Sequence, residues 1–440
     1  MTFPVRGEIV RAPLFHTPRN PFLEAAALEA FSDGALFIQQ GKILDCGDYT
    51  ALQAAHPDAT VTDLRGGFLL PGLIDTHIHF PQLRVLGGLG KELLTWLEEF
   101  ALPEEARMAE LSYACETAHR FVRALVSHGT TTALVFGAHF GGATAALFQA
   151  GLQSGLRIVS GMVLSDRLLR PELRQTHEHA YRDCTDLIAR FHRQARLLYA
   201  VTPRFALSSS EAMLEVCTTL MREHEGLRFQ THLNENRREV EEVARLFPWA
   251  QDYLGVYDRF GLTGRGAVMA HNVHCSDAEL ERLAGSGTAV SHCPCSNAAL
   301  GSGFFPLRRH IQAGVQCSLG TDVGAGTGFG ILKEGLQAYL LQRLAPEGFT
   351  LDPEHLLYLA TRGGAEALNL GDEIGDFTPG KAADFVYLRP PKNSTLAAVI
   401  ERADDLQRVL AALFTLGDAT CVREVRVAGS KVYCAGSDDD

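Results

Sequence analysis

The sequence predicts an α/β fold: a (β/α)8 barrel of the TIM type with a small β-sandwich domain formed from both chain ends. Three observations carry this reading. Short apolar runs alternate with longer amphipathic segments between residues 70 and 325, the runs number eight, and each end of the chain carries strand–turn–strand patterns too poor in apolar residues for a large core of its own. Alternation of strand and helix implies parallel pairing, and eight units in roughly 250 residues is what such a barrel requires.

The runs are LIDTHIHF, TTTALVFG, RIVSGMVL, LLYAVTPRF, LRFQTHL, AVMAHNVH, TAVSHCP and VQCSLGTD. Between them, segments such as ARMAELSYACETAHRFVRALVSHG and NRREVEEVARLFPWAQDYLGVYDRFG have the length and apolar spacing of helices. LDPEHLLYLATRGGAEALNL, residues 351–370, also reads as helical and closes the barrel region. On the flanks, ALFIQQGKILDCGDY reads as a hairpin, and ADFVYLRP precedes a second hairpin, VREVRVAGSKVYCAG. The expected division is 1–69 and 371–440 for the two parts of the β domain and 70–370 for a metal-dependent catalytic barrel. The tail GSDDD is expected to be disordered.

Composition narrows the function classes. With 440 residues, 46% of them hydrophobic, the chain can build a substantial core. A net charge of -12 argues against nucleic acid as a partner, because phosphate binding relies on Lys and Arg. The 10 cysteines are mostly isolated, which suggests reduced core thiols rather than a disulfide framework. Cys293 and Cys295 in HCPCSN are close together but lack the P-C-x-x-C spacing of a cytidine-deaminase zinc site. No signal peptide or run of about 20 apolar residues is visible, so neither a membrane nor a secreted location is expected; the expected location is cytoplasmic.

PGLIDTHIHF places His77 and His79 two positions apart in an apolar strand, where alternate side chains leave on one face. Chemistry in a barrel gathers at the C-terminal ends of the strands. Those ends carry His77 and His79 on the first run, Arg204 and Phe205 after the fourth, His232 on the fifth, His271 on the sixth and Asp322 on the eighth. Three histidines and a carboxylate can complete a mononuclear zinc or iron site with a position left for water. Read singly, His232 and His271 could be core groups and Asp322 a turn former. Glu235 lies three residues past His232. It is either part of a solvated helix face or the proton carrier that a hydrolase needs beside its metal. His177 and His179 form another H-x-H, but in a helical segment where the rings diverge. The glycines of TDVGAGTGFG fit no nucleotide-binding pattern and are expected to let the backbone pass close to the pocket.

PGLIDTHIHFPQ, HGTTTALVF, TPRF, THLNENRREVEEV, VMAHNVH, SHCPCSNAALGSG and LGTDVGAG together resemble the guanine deaminases of the amidohydrolase superfamily, over most of the chain. CPCSNAAL departs locally from that pattern. The resemblance implies hydrolysis of guanine to xanthine and ammonia, with one Zn2+ per subunit, or Fe2+, held by His77, His79, His232 and Asp322. It further implies attack of an activated hydroxide on C2, Asp322 taking the water's proton, Glu235 carrying a proton to N3 and the leaving amine, and His271 orienting the nucleophile. Arg204 is then expected on the O6 carbonyl, where adenine would leave it a buried unpaired charge. Phe205 would stack on the ring, Gln82 would meet a purine edge, Trp96 would line the pocket, and His232 and Glu235 would also touch the base. Without the resemblance, Arg204 reads equally as a surface charge, Phe205 as core, Gln82 as a turn residue and Trp96 as helix packing. The resemblance also suggests a homodimer. The competing readings are an enzyme of this scaffold acting on a triazine or pterin, which would dispense with the Arg204–Phe205 pair, and a non-catalytic binding scaffold, which would tend to lose metal ligands.

Overall fold

Each of the eight apolar runs forms a strand in the computed structural model, which describes residues 7–436. The barrel strands are Leu73–His79, Thr130–Phe136, Arg157–Gly161 with the short continuation Val163–Leu164, Leu198–Pro203, Arg228–Leu233, Ala267–His271, Ala289–His292 and Cys317–Leu319. Neighbours pair in parallel throughout. The chain beyond the eighth strand returns to the first. Asp322 N donates to the His77 carbonyl at 2.8 Å and His79 N to the Val323 carbonyl at 3.0 Å, so closure occurs at the histidine pair itself. This approach demands a missing side chain at position 320, since a Cβ there would lie 2.7 Å from His77 Cβ.

Helices cover the outside. Leu111–Ser127 turns Ala114, Ala118, Phe121, Val122 and Leu125 inward, the three-to-four-residue spacing of one helix face. The segment 236–261 is two helices, Arg237–Leu246 and Tyr253–Arg259. Pro248 has no N–H to continue the first, and Asp252 starts the second by accepting from Gly255 N at 2.9 Å. Residues 353–367 likewise divide into Pro353–Ala360 and Arg362–Ala367 at Thr361, whose backbone (φ -134°, ψ -92°) is not helical. Between the first strand and Leu111, residues 80–110 form a chain of short helical turns over the barrel mouth.

Two further sheets flank the barrel. One has four strands in the order Lys42–Asp48, Gly34–Gln39, Glu8–Arg11, Thr60–Asp63. The other combines both chain ends: Ser430–Cys434, Val422–Val427, Phe385–Leu388, Phe68–Pro71, Leu14–His16 and Glu29–Phe31. Val10, Leu36, Ile38 and Ile43 from the first sheet share one buried cluster with Leu14, Leu69, Phe385 and Tyr387 from the second, as in a sandwich. The chain crosses into the barrel at Gly72, where a Cβ would lie 2.1 Å from Thr131 Oγ1. The C-terminal part is not all β. Helix Leu406–Leu416 buries Val409, Leu410, Leu413 and Phe414 in the barrel's cluster, because those residues repeat at helical rather than strand spacing. Residues 437–440 of the expected disordered tail lie outside the described residues.

Candidate metal centre and active site

The two imidazoles of the first strand meet a third and a carboxylate. His77 Nε2 and His79 Nε2 are 3.3 Å apart, as are His79 Nε2 and His232 Nε2. Asp322 Oδ1 lies 3.4 Å from His77 Nε2 and 3.3 Å from His79 Nε2. Tetrahedral coordination with bonds of about 2.05 Å has donor–donor edges of roughly 3.3 Å, and these four separations match it; His77, His79 and His232 by themselves bring three ring nitrogens within 4.8 Å of one another. The second nitrogen of His232 donates to the Arg204 carbonyl at 2.6 Å, which turns the Nε2 lone pair toward the common centre. All four side chains are buried. Burial holds the His77 imidazole down at about 3 and the His232 imidazole well below its usual range, so both present lone pairs at neutral pH. Burial alone would raise Asp322; the hydrogen bonds and charges of His77 and His79 prevail and hold it well below the usual carboxylate range.

His271 and Glu235 stand beside this cage. His271 Nε2 is 3.8 Å from Asp322 Oδ2 and 3.6 Å from Glu235 Oε2, while its Nδ1 is 3.0 Å from Asn297 Oδ1. With Asn297 accepting from Nδ1, Nε2 carries a lone pair toward the two carboxylates. That nitrogen and Glu235 Oε1 are buried without a hydrogen-bond partner among the described residues. Burial, then the charges of Asp322 and Glu239, push Glu235 well above the usual carboxylate range. Glu235 is held at the strand exit because Asn236 starts the next helix with a capping box to Glu239, whose Oε2 also accepts from Glu235 N at 3.0 Å. His271 and Asp322 have left-handed backbones (φ 72° and 49°), a strain typical of residues aimed by their site.

One cavity is lined by His79, His232, Glu235 and Asp322 together with Gln82, Trp96, Arg204 and Phe205. All four residues that had read equally well as structural are therefore buried around the cage rather than dispersed. The structure corrects the expectation that an adenine complex would leave Arg204 with an unpaired charge, because the protein itself supplies the counter-charge. Arg204 Nη1 donates to both carboxylate oxygens of Glu105, at 2.8 and 2.6 Å, and both residues are buried. Phe205 meets His232 edge-on, with ring centroids 6.0 Å apart. The glycine-rich segment behaves as expected, since a Cβ on Gly324 would lie 2.5 Å from the Gln82 carbonyl.

Residues 68–432 match the model of the amidohydrolase family. This chain belongs to the amidohydrolase family. Among curated members, the probable guanine deaminase of Deinococcus radiodurans is 56% identical over 97% of this chain and 98% of its own length. The structure of the E. coli guanine deaminase superposes with a TM-score of 0.94 at 39% identity, covering 98% of this chain and 100% of that one. The structure of the C. acetobutylicum guanine deaminase, with guanine bound in its active site, gives a TM-score of 0.90 at 27% identity, over 97% of this chain and 100% of the other.

The inward-facing histidine pair and the strand-end carboxylate belong to groups of side chains that could hold a metal ion, as suits a member of a metal-dependent family. Four site residues had escaped the sequence reading. Asp75 sits two residues before His77 on the same face, accepting from Thr321 N at 3.1 Å and from Thr321 Oγ1 at 2.6 Å, and so ties the first strand to the metal-ligand loop. Its spacing could have revealed it. His139 lies just past the second strand, a position a complete survey of strand ends would have included. Glu105 stands beside a second acid, Glu104, in LPEEA with no spacing signal to single it out. Cys293, read as a core thiol, offers a sulfur that, with ring nitrogens of His77 and His271, fits within 4.8 Å. Burial raises its thiol well above the usual range and so favours the protonated form. All ten cysteines are free, seven of them buried; Cys434 is exposed and Cys46 and Cys115 are half-buried. His177 and His179 are on a helix, as read, with His177 paired to Asp166 at 2.9 Å.

Proposed function

We propose that this chain is a guanine deaminase, converting guanine and water to xanthine and ammonia. The observation that carries the reading is the convergence in one cavity of a four-donor cation cage, a buried carboxyl not spent on that cage, and the Arg204, Gln82 and Phe205 group. The guanine deaminases to which the chain is similar support it, as does the likeness to a structure with guanine bound.

We assign His77, His79, His232 and Asp322 as ligands of one Zn2+ per subunit, with Fe2+ the other metal suited to imidazole and carboxylate. Such a cation lowers the pKa of water to about 7 and so supplies a nucleophile at neutral pH. The chain's own residues do the rest. Asp322 accepts the proton shed as water adds to C2, and His271, within 3.8 Å of both carboxylates, orients the incoming oxygen. Glu235, shifted by burial toward its protonated form, delivers a proton to N3 and, reprotonated with the proton that Asp322 took from the water, supports departure of the amine as ammonia. Arg204 donates to O6, Gln82 meets the adjoining edge, Phe205 and Trp96 enclose the ring, and His232 and Glu235 border the base.

Free thiols throughout support a cytoplasmic, reducing location, and the family likeness supports a homodimer; fractionation and sedimentation test these. The decisive assay is ammonia release from guanine by the metal-replete protein, beside adenine, cytosine and melamine. Turnover of guanine alone is expected. Preferred turnover of melamine would transfer the protein to triazine chemistry, and no turnover of any base, with no metal bound, would make it a binding scaffold.

A further inference from the structure

Resting on that reading of the pocket, we infer that Glu105 is a positioning and specificity-determining residue: it aims Arg204 and Gln82 at a neutral carbonyl-bearing ring and excludes anionic rings. The residue sits on the turn Leu102–Ala106, in the segment over the barrel mouth, far in sequence from every strand end. One carboxylate nevertheless joins three elements of the barrel. Its two oxygens accept from Arg204 Nη1 after the fourth strand, Oε1 accepts from Gln82 Nε2 at 2.7 Å after the first, and Oε2 lies 3.3 Å from His139 Nδ1 after the second.

These bonds determine what the cavity presents. Gln82 Oε1 accepts from Gly324 N at 3.1 Å while its Nε2 donates to Glu105, so the amide cannot flip. One N–H and one lone pair are left for a ligand. Arg204 gives Nη1 to Glu105, and its Nε and Nη2 have no hydrogen-bond partner among the described residues, which leaves rigid donors for a carbonyl oxygen. Charge adds the second half of the argument. A buried guanidinium without a counter-charge would favour a ligand carrying one, such as a carboxylate or an ionised ring. Here the counter-charge belongs to the protein. Guanine is neutral and can accept the remaining donors without bringing a second anion beside Glu105, whereas an anionic oxopurine would be repelled. Burial alone would raise Glu105, but Arg204 and His139 overcome it and hold the group at about 2, so the countercharge persists across the neutral range.

The test compares wild type, Glu105→Gln and Glu105→Asp, each checked for bound metal and melting temperature, for guanine kinetics and for inhibition by urate, an anionic oxopurine. For Glu105→Gln, KM for guanine should rise about 30-fold while kcat changes less than about 3-fold, the pattern of lost uniform binding. Inhibition by urate should tighten about 10-fold, because the guanidinium is released to an anion. Glu105→Asp keeps the charge but shortens the reach; KM should rise while urate inhibition stays at the wild-type level, and this variant carries the test should Glu105→Gln not fold. Unchanged KM in both variants would overturn the inference, as would parallel weakening of guanine and urate binding, which is what a merely structural role produces. A wild-type protein that releases no ammonia from guanine would instead defeat the underlying reading, and the inference with it.

Discussion

Replacing Glu235 with Gln removes one titratable oxygen and preserves the shape of the side chain. Three features of the structure set the expected size of the effect. The residue is 2% exposed, its Oε1 has no partner among the described residues, and Oε2 is 3.6 Å from His271 Nε2. Burial and the neighbouring Asp322 and Glu239 shift the carboxyl toward its protonated form, the form that Gln resembles in shape and charge, so stability should shift by less than about 1 kcal/mol. A bound dication would lower that pKa again, which helps a proton carrier both give and take a proton. Loss of a positioned acid–base group costs about 10²–10⁴ in rate, so kcat should fall about 10³-fold, equivalent to about 4 kcal/mol of transition-state stabilisation. Ammonia release, metal content and melting temperature measured on one preparation separate the possibilities. Full activity would remove Glu235 from proton transfer, and lost activity accompanied by lost metal would make it part of the cage.

Other perturbations probe the cage and its surroundings. Asp322→Asn should weaken metal affinity by more than about 100-fold in chelator competition, beyond what altering a supporting contact usually costs; unchanged affinity would exclude Asp322 as a ligand. Stripping the metal from protein that held it at about 1,000 times Kd should lower stability by about 4 kcal/mol, recovered on adding zinc, and a melting curve indifferent to chelator would refute a bound ion. Gly320→Ala forces a methyl to 2.7 Å from His77 Cβ and 2.6 Å from Ser291 Oγ, so it should destabilise the fold by about 2 kcal/mol and reduce metal content together. Glu334 is raised by burial from 4.5 to about 8. A raised folded-state value means its stability contribution is complete below about pH 4.5 and declines as pH rises toward 8, by about 1.4 kcal/mol per pH unit. Melting temperatures of Glu334→Gln should therefore gain on wild type between pH 5 and 8 and run parallel above; a constant offset would show the carboxyl to be ionised throughout.

What the sequence makes legible here follows from which interactions are local. His77 and His79 could be paired on paper because strand periodicity alone puts positions two apart on one face, and the barrel rule then gathers His232, His271 and Asp322 from later strand ends. Pro248 could likewise have been read as the break in the helical segment 236–261. Glu105 has no comparable signal. Nothing in LPEEA distinguishes its two acids, yet Glu104, one position earlier and half-buried, takes different partners in Arg107 and Tyr113. The difference between the two acids lies in where residues 80–110 fold back over the mouth, a long-range event that periodicity does not encode. The same event gave Arg204 a partner that no count of strand ends could supply. The general inference concerns charge: a sequence can show that a buried arginine stands at a binding site, but whether its charge is available to a ligand depends on a carboxylate that tertiary folding delivers. In this chain Glu105 is delivered, and the pocket is thereby fitted to a polar but uncharged ring.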